Sequence, residues 1–464
     1  MTSTLVEEQR ASALGARRAG QMRQGHQTRD DQRTARIALL GCGTVGSEVA
    51  RTLLAQRGAI RARTGVDLVL EKVLVRDAQR ERGLPTKLFT ESVEEVLAEK
   101  PDVVIEVLGG RGTARALVER VLRAGVPVAT ANKTLIAHDG PALKRIAQEH
   151  GAWLRTEACV CSAVPVVEVL QRLRGERVLG LQGVVNGSCN AILEAMSTRG
   201  VSLAQAVKEA QALGLVEPDP AADVSGRDSA EKLVILSRLA GVSRQTAREV
   251  SPGDVLTTGI EAVTAQDHAT ARRRGHVIRL VATYQPTCGD AMLVVEPTWL
   301  PRDHALARLE GAMNGVVVET DLSGALFLSG PGAGPQPTAG ALLGDVLRGV
   351  AGEVAAHFGE GHAHDPAHPH EPTAERPAGT AARWYLRITG GVGRALLGEV
   401  VATLKRLDVA YEELQSTADG LFILTRPVTQ QSVERVRAGL LEAGVEARAA
   451  AGPIVVVTMR VLDG

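Results

Sequence analysis

From residue 35 onward, short apolar runs alternate with stretches of helical period. ARIALL reads as a buried strand, GCGTVG as a glycine turn, SEVARTLLAQRGAI as a helix and LVLEKVLVRD as a second strand. The series continues with a helix near Val93 to Lys100, the strand DVVIEVLGG, a helix over Thr113 to Ala124, the strand VPVAT and a helix after Asn132. This alternation predicts an α/β doubly wound parallel sheet of the Rossmann type over 35–150. Residues 151–357 mix strands (LQGVVNG), polar loops (EPDPAADVSG) and helices (DSAEKLVILSRLAG), which predicts an α+β domain. Residues 383–464 spell β-α-β-β-α-β, the ferredoxin-like order. Residues 1–34 lack apolar periodicity and read as a disordered tail, and 358–382, rich in Pro, Gly and His, as a flexible tether.

The 464-residue length accommodates three such units. Lys plus Arg equals Asp plus Glu at 53 each, so no global field attracts nucleic acid or an anionic membrane. No apolar run approaches the ~20 residues of a bilayer span. With no signal-like segment at the N-terminus, the five cysteines (42, 159, 161, 189, 288) read as reduced thiols in a cytoplasmic protein. Ten aromatics in all leave the cores to aliphatic residues. Only eight of the 53 cations are lysines. Arginine does not release its proton near neutrality and lysine can, so a lysine inside a polar motif is a candidate for proton chemistry.

Gly41, Gly43 and Gly46 form G-x-G-x-x-G between strand and helix, with Thr44 and Val45 inside the turn, the pattern of a dinucleotide site. The second strand ends in Val75-Arg76-Asp77. An acid there holds a ribose 2′-hydroxyl and an arginine a 2′-phosphate, so both NAD and NADP stay open, with Arg76 leaning to NADP. Lys133 follows the strand VPVAT, at the strand end where the Rossmann order sets the nicotinamide. Asp228 and Lys232 lie four residues apart on one helix face, which alone is also the pattern of a surface ion pair. Glu217, Asp219 and Asp223 cluster in a proline-rich loop suited to an ammonium group. The histidines at 357, 362, 364, 368 and 370 lie in the tether, with no scaffold to fix metal geometry.

These motifs resemble, in order from about Arg36 to Ala351, those of the homoserine dehydrogenase family: GCGTVG, VIEVLGG, ATANK, TEACVCSAVPVVE, NGSCNAIL, ALGLVEPDPAADVSGRDSAEKL and GPGAGPQPTAGALLGDV. The resemblance implies NAD(P)-dependent interconversion of L-homoserine and L-aspartate 4-semialdehyde in threonine and methionine biosynthesis. It implies Lys232 as proton donor oriented by Asp228, Lys133 as a second active-site lysine beside the cofactor, Glu217 and Asp223 as substrate ligands, and Gly109, Gly214 and Gly332 near the cofactor. It also implies a sodium-like cation on Glu157, Val160, Ser162 and Val164, a homodimer or homotetramer, and an ACT-like C-terminal domain with threonine as candidate effector. Departures are Cys161, Ser162 and Ala163 where glycines are usual, Ser188-Cys189 for a threonine pair, and Thr389-Gly390-Gly391-Val392-Gly393 where ACT modules carry D-x-P-G. Two other readings stand beside this one. An acylating semialdehyde dehydrogenase would use Cys159 or Cys161 as nucleophile, and a non-enzymatic sensor would bind nucleotide without turnover.

Overall fold

The computed structural model describes residues 33–243, 249–287, 290–352, 381–389, 394–417, 420–446 and 455–462. The expected tail up to residue 32, the histidines of the tether, Cys288 and the 390–393 turn lie outside them.

The glycine turn and its flanking runs build a six-stranded parallel sheet of β1 (Arg33–Leu40), β2 (Val66–Leu74), β3 (Phe89–Thr90), β4 (Val103–Glu106), β5 (Val128–Thr130) and β6 (Leu154–Arg155). Its order, β3-β2-β1-β4-β5-β6, reverses direction at β1, and the crevice above the C-terminal ends of β1 and β4 is the place such sheets bind ligands. Strands buried on both faces read as unbroken apolar runs, which is why ARIALL and DVVIEV were visible in the sequence. The boundaries shift from expectation. Arg33 and Thr34 pair with Val66 and Asp67 and belong to β1 rather than to a tail, and β6 carries the sheet past residue 150. The Pro335–Val350 helix, assigned from sequence to the middle domain, buries Ala339, Leu342, Val346 and Val350 in the same aliphatic core as β1 and the Thr44–Thr64 helix.

The second sheet is mixed. It contains β7 (Val178–Val184), β9 (His276–Thr287), β10 (Asp290–Pro301), β11 (Met313–Thr320) and β12 (Gly324–Pro331), with β8 (Leu256–Thr257) attached to β10. Through β10 it continues into β16 (Val455–Val461), β13 (Arg383–Thr389), β15 (Gly420–Thr425) and β14 (Tyr411–Thr417). The C-terminal module, with its 4-1-3-2 strand order, is therefore a continuation of the catalytic sheet. Part of the small aromatic supply is spent at this seam. Trp299 of β10 packs 4.5 Å from Tyr385 of β13, which in turn stacks on Phe422. Beside them the fully buried Asp267 accepts hydrogen bonds from the Tyr385 hydroxyl and Arg387 Nε, both 2.9 Å, and Glu296 pairs with Arg460 at 3.0 Å.

One buried group carries a pH consequence. His268, in the Ala265–Arg273 helix, is 1% exposed, and neither ring nitrogen meets a partner among the described residues. Burial, with Arg279 and Arg272 nearby, pushes its pKa down to about 4. An unfolded chain takes that proton near 6.5, so between the two values the unfolded state holds more protons and stability falls as the pH drops through that window. His268→Leu is expected to shift the midpoint of acid unfolding to lower pH, with a gain over wild type that grows to about 3 kcal/mol near pH 4 and vanishes above pH 7. A gain that did not vary with pH would assign the effect to packing instead.

Candidate active site

Among the segments that converge on a cleft of about 1120 Å³ between the two sheets are the start of the Thr44–Thr64 helix, the start of the Lys133–Glu149 helix, the loop from Gly214 to Asp223, and the Arg227–Leu239 helix. At the glycine turn, Gly41 has φ +106° and lies where a side chain would be 3.0 Å from the Val107 carbonyl. A methyl on Gly46 would sit 2.4 Å from the Gly41 carbonyl. Only glycine satisfies both positions. Gly43 opens the Thr44–Thr64 helix with no side-chain cap, space around it and no acid in the first turn, leaving free amides and the positive end of the helix dipole for a phosphate. Thr44 and Val45 line the cleft, as do Gly214 and Gly332. Gly109, at φ +72°, lies on the loop after β4, and Arg76 is exposed beyond the end of β2. Asp77 accepts the amides of Gln79 and Arg80, so its carboxylate closes a local turn.

On the floor of the cleft the two motif lysines meet. Buried Asp228 accepts Lys133 Nζ on Oδ1 at 3.1 Å and Lys232 Nζ on Oδ2 at 2.8 Å. Lys232 also donates to the Val185 carbonyl at 2.7 Å, which leaves one of its three N–H bonds uncommitted. Its side chain is 12% exposed against 37% for Lys133, so Lys232 is held by its surroundings and Lys133 faces the open cleft. Burial opposes ionisation of Asp228, yet Lys232, Lys133 and the Asn186 amide overcome it and hold the carboxyl far below its usual range. Burial likewise disfavours the charge on Lys133, but Asp228, with Glu231 and Asp223 behind it, raises the ammonium pKa above 10.5. Burial alone would depress a lysine here and ready it for proton abstraction. In this structure the nearby carboxylates leave Lys133 more firmly protonated.

Glu217 and Asp223 both line the cleft, Glu217 exposed and Asp223 half-buried, while the carboxylate of Asp219 caps the Ala221 amide. Sequence reasoning missed Asn186, Asn132 and Glu106. Asn132 caps the Lys133 helix through the Leu135 amide, and buried Glu106 at the end of β4 accepts from both Asn132 and Thr130, so the pair fixes the loop that carries Lys133. An asparagine directly before each helix was the available signal.

Cys161 and Ser162 have φ of +56° and +38°, so the backbone keeps the left-handed form that glycine favours although side chains are present. Ser162 pairs with Thr338 at 3.0 Å, and Cys161 receives the Asn314 amide. At the other departure, Ser188 Oγ donates to the Leu215 carbonyl and Cys189 Sγ to that of Asp223, tying down the acidic loop.

Comparison with known proteins decides the family. The model of the homoserine dehydrogenase NAD-binding domain matches residues 41–157, and the homoserine dehydrogenase model matches 165–347. A homoserine dehydrogenase from Mycobacterium tuberculosis is 38% identical over 336 residues, 71% of this chain and 75% of that protein. The chain belongs to the homoserine dehydrogenase family. Homoserine dehydrogenase from Neisseria gonorrhoeae is 30% identical over 87% of this chain and 94% of its own length. The crystal structure of a homoserine dehydrogenase from Thiobacillus denitrificans superimposes with a TM-score of 0.78 at 29% identity, covering 93% of this chain and 99% of that one. A hyperthermophilic archaeal homoserine dehydrogenase in complex with NADPH matches at TM-score 0.57 and 26% identity, over 70% of this chain and all of that one. The protein is an oxidoreductase with an NAD(P)-binding domain.

The thiol chemistry of an acylating dehydrogenase does not fit. Cys159 is 3% exposed and donates to the Thr130 carbonyl, and burial raises its pKa well above the usual thiol value. Burial pushes Cys161 up to about 11. Iodoacetamide at pH 8 is therefore expected to leave Cys159, Cys161 and Cys189 unmodified in the native protein and to label Cys42, which is partly exposed. Peptide mapping by mass spectrometry reads this directly. Rapid labelling of Cys159 or Cys161 would reopen the nucleophile reading.

Proposed function

We propose that Lys232 is the group that exchanges a proton with the substrate oxygen as L-homoserine and L-aspartate 4-semialdehyde interconvert, with Asp228 orienting it and Lys133 beside the cofactor and substrate. The observation that carries this reading is the single buried carboxylate joining two of the chain's eight lysines on the floor of the cleft. When bound, NAD(P) supplies or takes the hydride. In aldehyde reduction the uncommitted N–H of Lys232 polarises the carbonyl and gives its proton to the developing alkoxide. Asp228 keeps the ammonium in one orientation, and Lys133 adds positive charge at the open side. In alcohol oxidation the proton returns to the amine. Glu217 and Asp223 hold the substrate ammonium.

The cofactor is NADP on this reading, because Asp77 is engaged by its own turn while Arg76 is exposed where a 2′-phosphate would lie. The glycines 41, 43 and 46 with Thr44 and Val45 hold the pyrophosphate, and Gly109, Gly214 and Gly332 the rest. A monovalent cation fits the carbonyls of Glu157, Val160, Ser162 and Val164. Next to them Glu157 and Asp345 are two buried carboxyls beside Arg348, and burial with Asp345 pushes the Glu157 pKa up to about 8, so added positive charge is favourable. Such an ion would stiffen the 157–164 loop. The C-terminal module is an ACT-like domain for an amino-acid effector such as threonine. The protein assembles as a dimer or tetramer, a reading supported by edge strand β12, whose Phe327 is 44% exposed.

Lys232→Met and Lys133→Met are each expected to lower kcat for aspartate semialdehyde reduction by about 100-fold or more, the scale of general acid catalysis, with NADPH affinity little changed at Lys232. Lys232→Arg should fail as well, since arginine keeps its proton. Near-normal turnover in Lys232→Arg would show that charge alone suffices and would remove the proton-transfer role.

A further inference from the structure

Asn186 stands two residues past the end of β7 and opens the Gly187–Arg199 helix. It is 4% exposed, and every polar atom of its side chain is committed. Its Oδ1 caps the helix by accepting the Cys189 amide at 2.7 Å. Its Nδ2 donates to Asp223 Oδ1 at 2.7 Å and to Asp228 Oδ2 at 2.8 Å. One planar amide therefore spans two carboxylates with different tasks. Asp228 anchors the lysines, and Asp223 faces the substrate. An amide with two N–H bonds about 120° apart sets a fixed separation between the groups it joins, which a carboxylate or a hydroxyl in its place would not reproduce.

Without that amide, two carboxylates on adjacent turns would compete for the same ammoniums. Asp223 is already close enough to Lys133 to act on its charge. The groups facing this cluster are Lys133, Lys232, Asp223 and Asp228, with Glu231 and Glu261 behind them. Pinning Asp223 on Asn186 keeps it directed at the substrate and leaves Asp228 as the carboxylate paired with both lysines.

We propose that Asn186 is a positioning residue. It fixes the span between Asp223, which holds the substrate ammonium, and the Asp228–Lys232 pair, which handles the proton, and so selects an aldehyde whose amino group lies two carbons from the reacting carbon. The inference rests on the roles given above to Asp223 and Lys232, and its test separates the two.

Asn186→Ser keeps an N-cap but loses the two-way donor. Its expected signature is a near wild-type Tm and NADPH affinity, with a raised KM and a fall of about 100-fold in kcat/KM for aspartate semialdehyde. For the des-amino analogue, succinate semialdehyde, the fall should be at least about tenfold smaller, narrowing the preference for the amino substrate. Asn186→Asp keeps the cap and the shape but adds a third carboxylate, which holds the lysines protonated. The basic limb of the pH profile for homoserine oxidation should move up by about one unit. Equal losses with both aldehydes, or unchanged discrimination together with an unmoved pH limb, would overturn the proposal. If Lys232→Met also kept its turnover, the proton-transfer reading itself would fall; if Lys232→Met is inactive while Asn186→Ser behaves as wild type, only the positioning role is lost.

Discussion

A carboxylate sealed from water between two ammonium groups sets the terms for the rest of this molecule. Asp228 is buried because the Arg227–Leu239 helix presses its first turn against the catalytic sheet, and a lone charge there would be expelled or neutralised. Lys232 from the same helix, Lys133 from the first domain and the Asn186 amide make it tolerable. Removing one ammonium from such a buried ion pair typically costs about 3–5 kcal/mol, so the carboxylate and its lysines hold together as a unit. The contact from Lys133 also fastens the nucleotide-binding domain to the helix that carries Asp228 and Lys232 on the floor of the cleft.

The surrounding architecture serves that juncture. The Pro335–Val350 helix crosses back from the second sheet to pack on the first, so neither domain closes its core without the other. Glu106, Thr130 and Asn132 lock the loop that delivers Lys133. At the far side, the Asp267, Tyr385 and Arg387 network welds the C-terminal module to the catalytic sheet, and the Ala265–Arg273 helix that carries Asp267 packs on β9 beside the active-site elements. The C-terminal module thus shares one sheet with the strands that border the cleft.

Much of this was legible in the sequence because the relevant signals are local. Unbroken apolar runs marked β1 and β4, G-x-G-x-x-G marked the strand-to-helix turn, and the four-residue spacing of Asp228 and Lys232 put both on one face. The scarcity of lysine pointed to Lys133 as well, but spacing could not show that one carboxylate takes both amines, since residues 133 and 228 meet only through domain packing. The same reason hid the return of residues 335–350 to the first core, Asn186 as a bridge, and the weld at Tyr385. The proton affinity of Lys133 was equally hidden: its neighbours across the fold outweigh burial, and no linear motif records that balance.

The central claim is that Asp228 joins the two lysines and holds Lys133 in its charged form, and the most direct test is the pKa of Lys133, read from the pH dependence of its acylation in wild type and in Asp228→Asn. The value should lie above 10.5 in wild type and below it in the variant, where burial acts without the opposing carboxylate. The same value in both proteins would contradict the account.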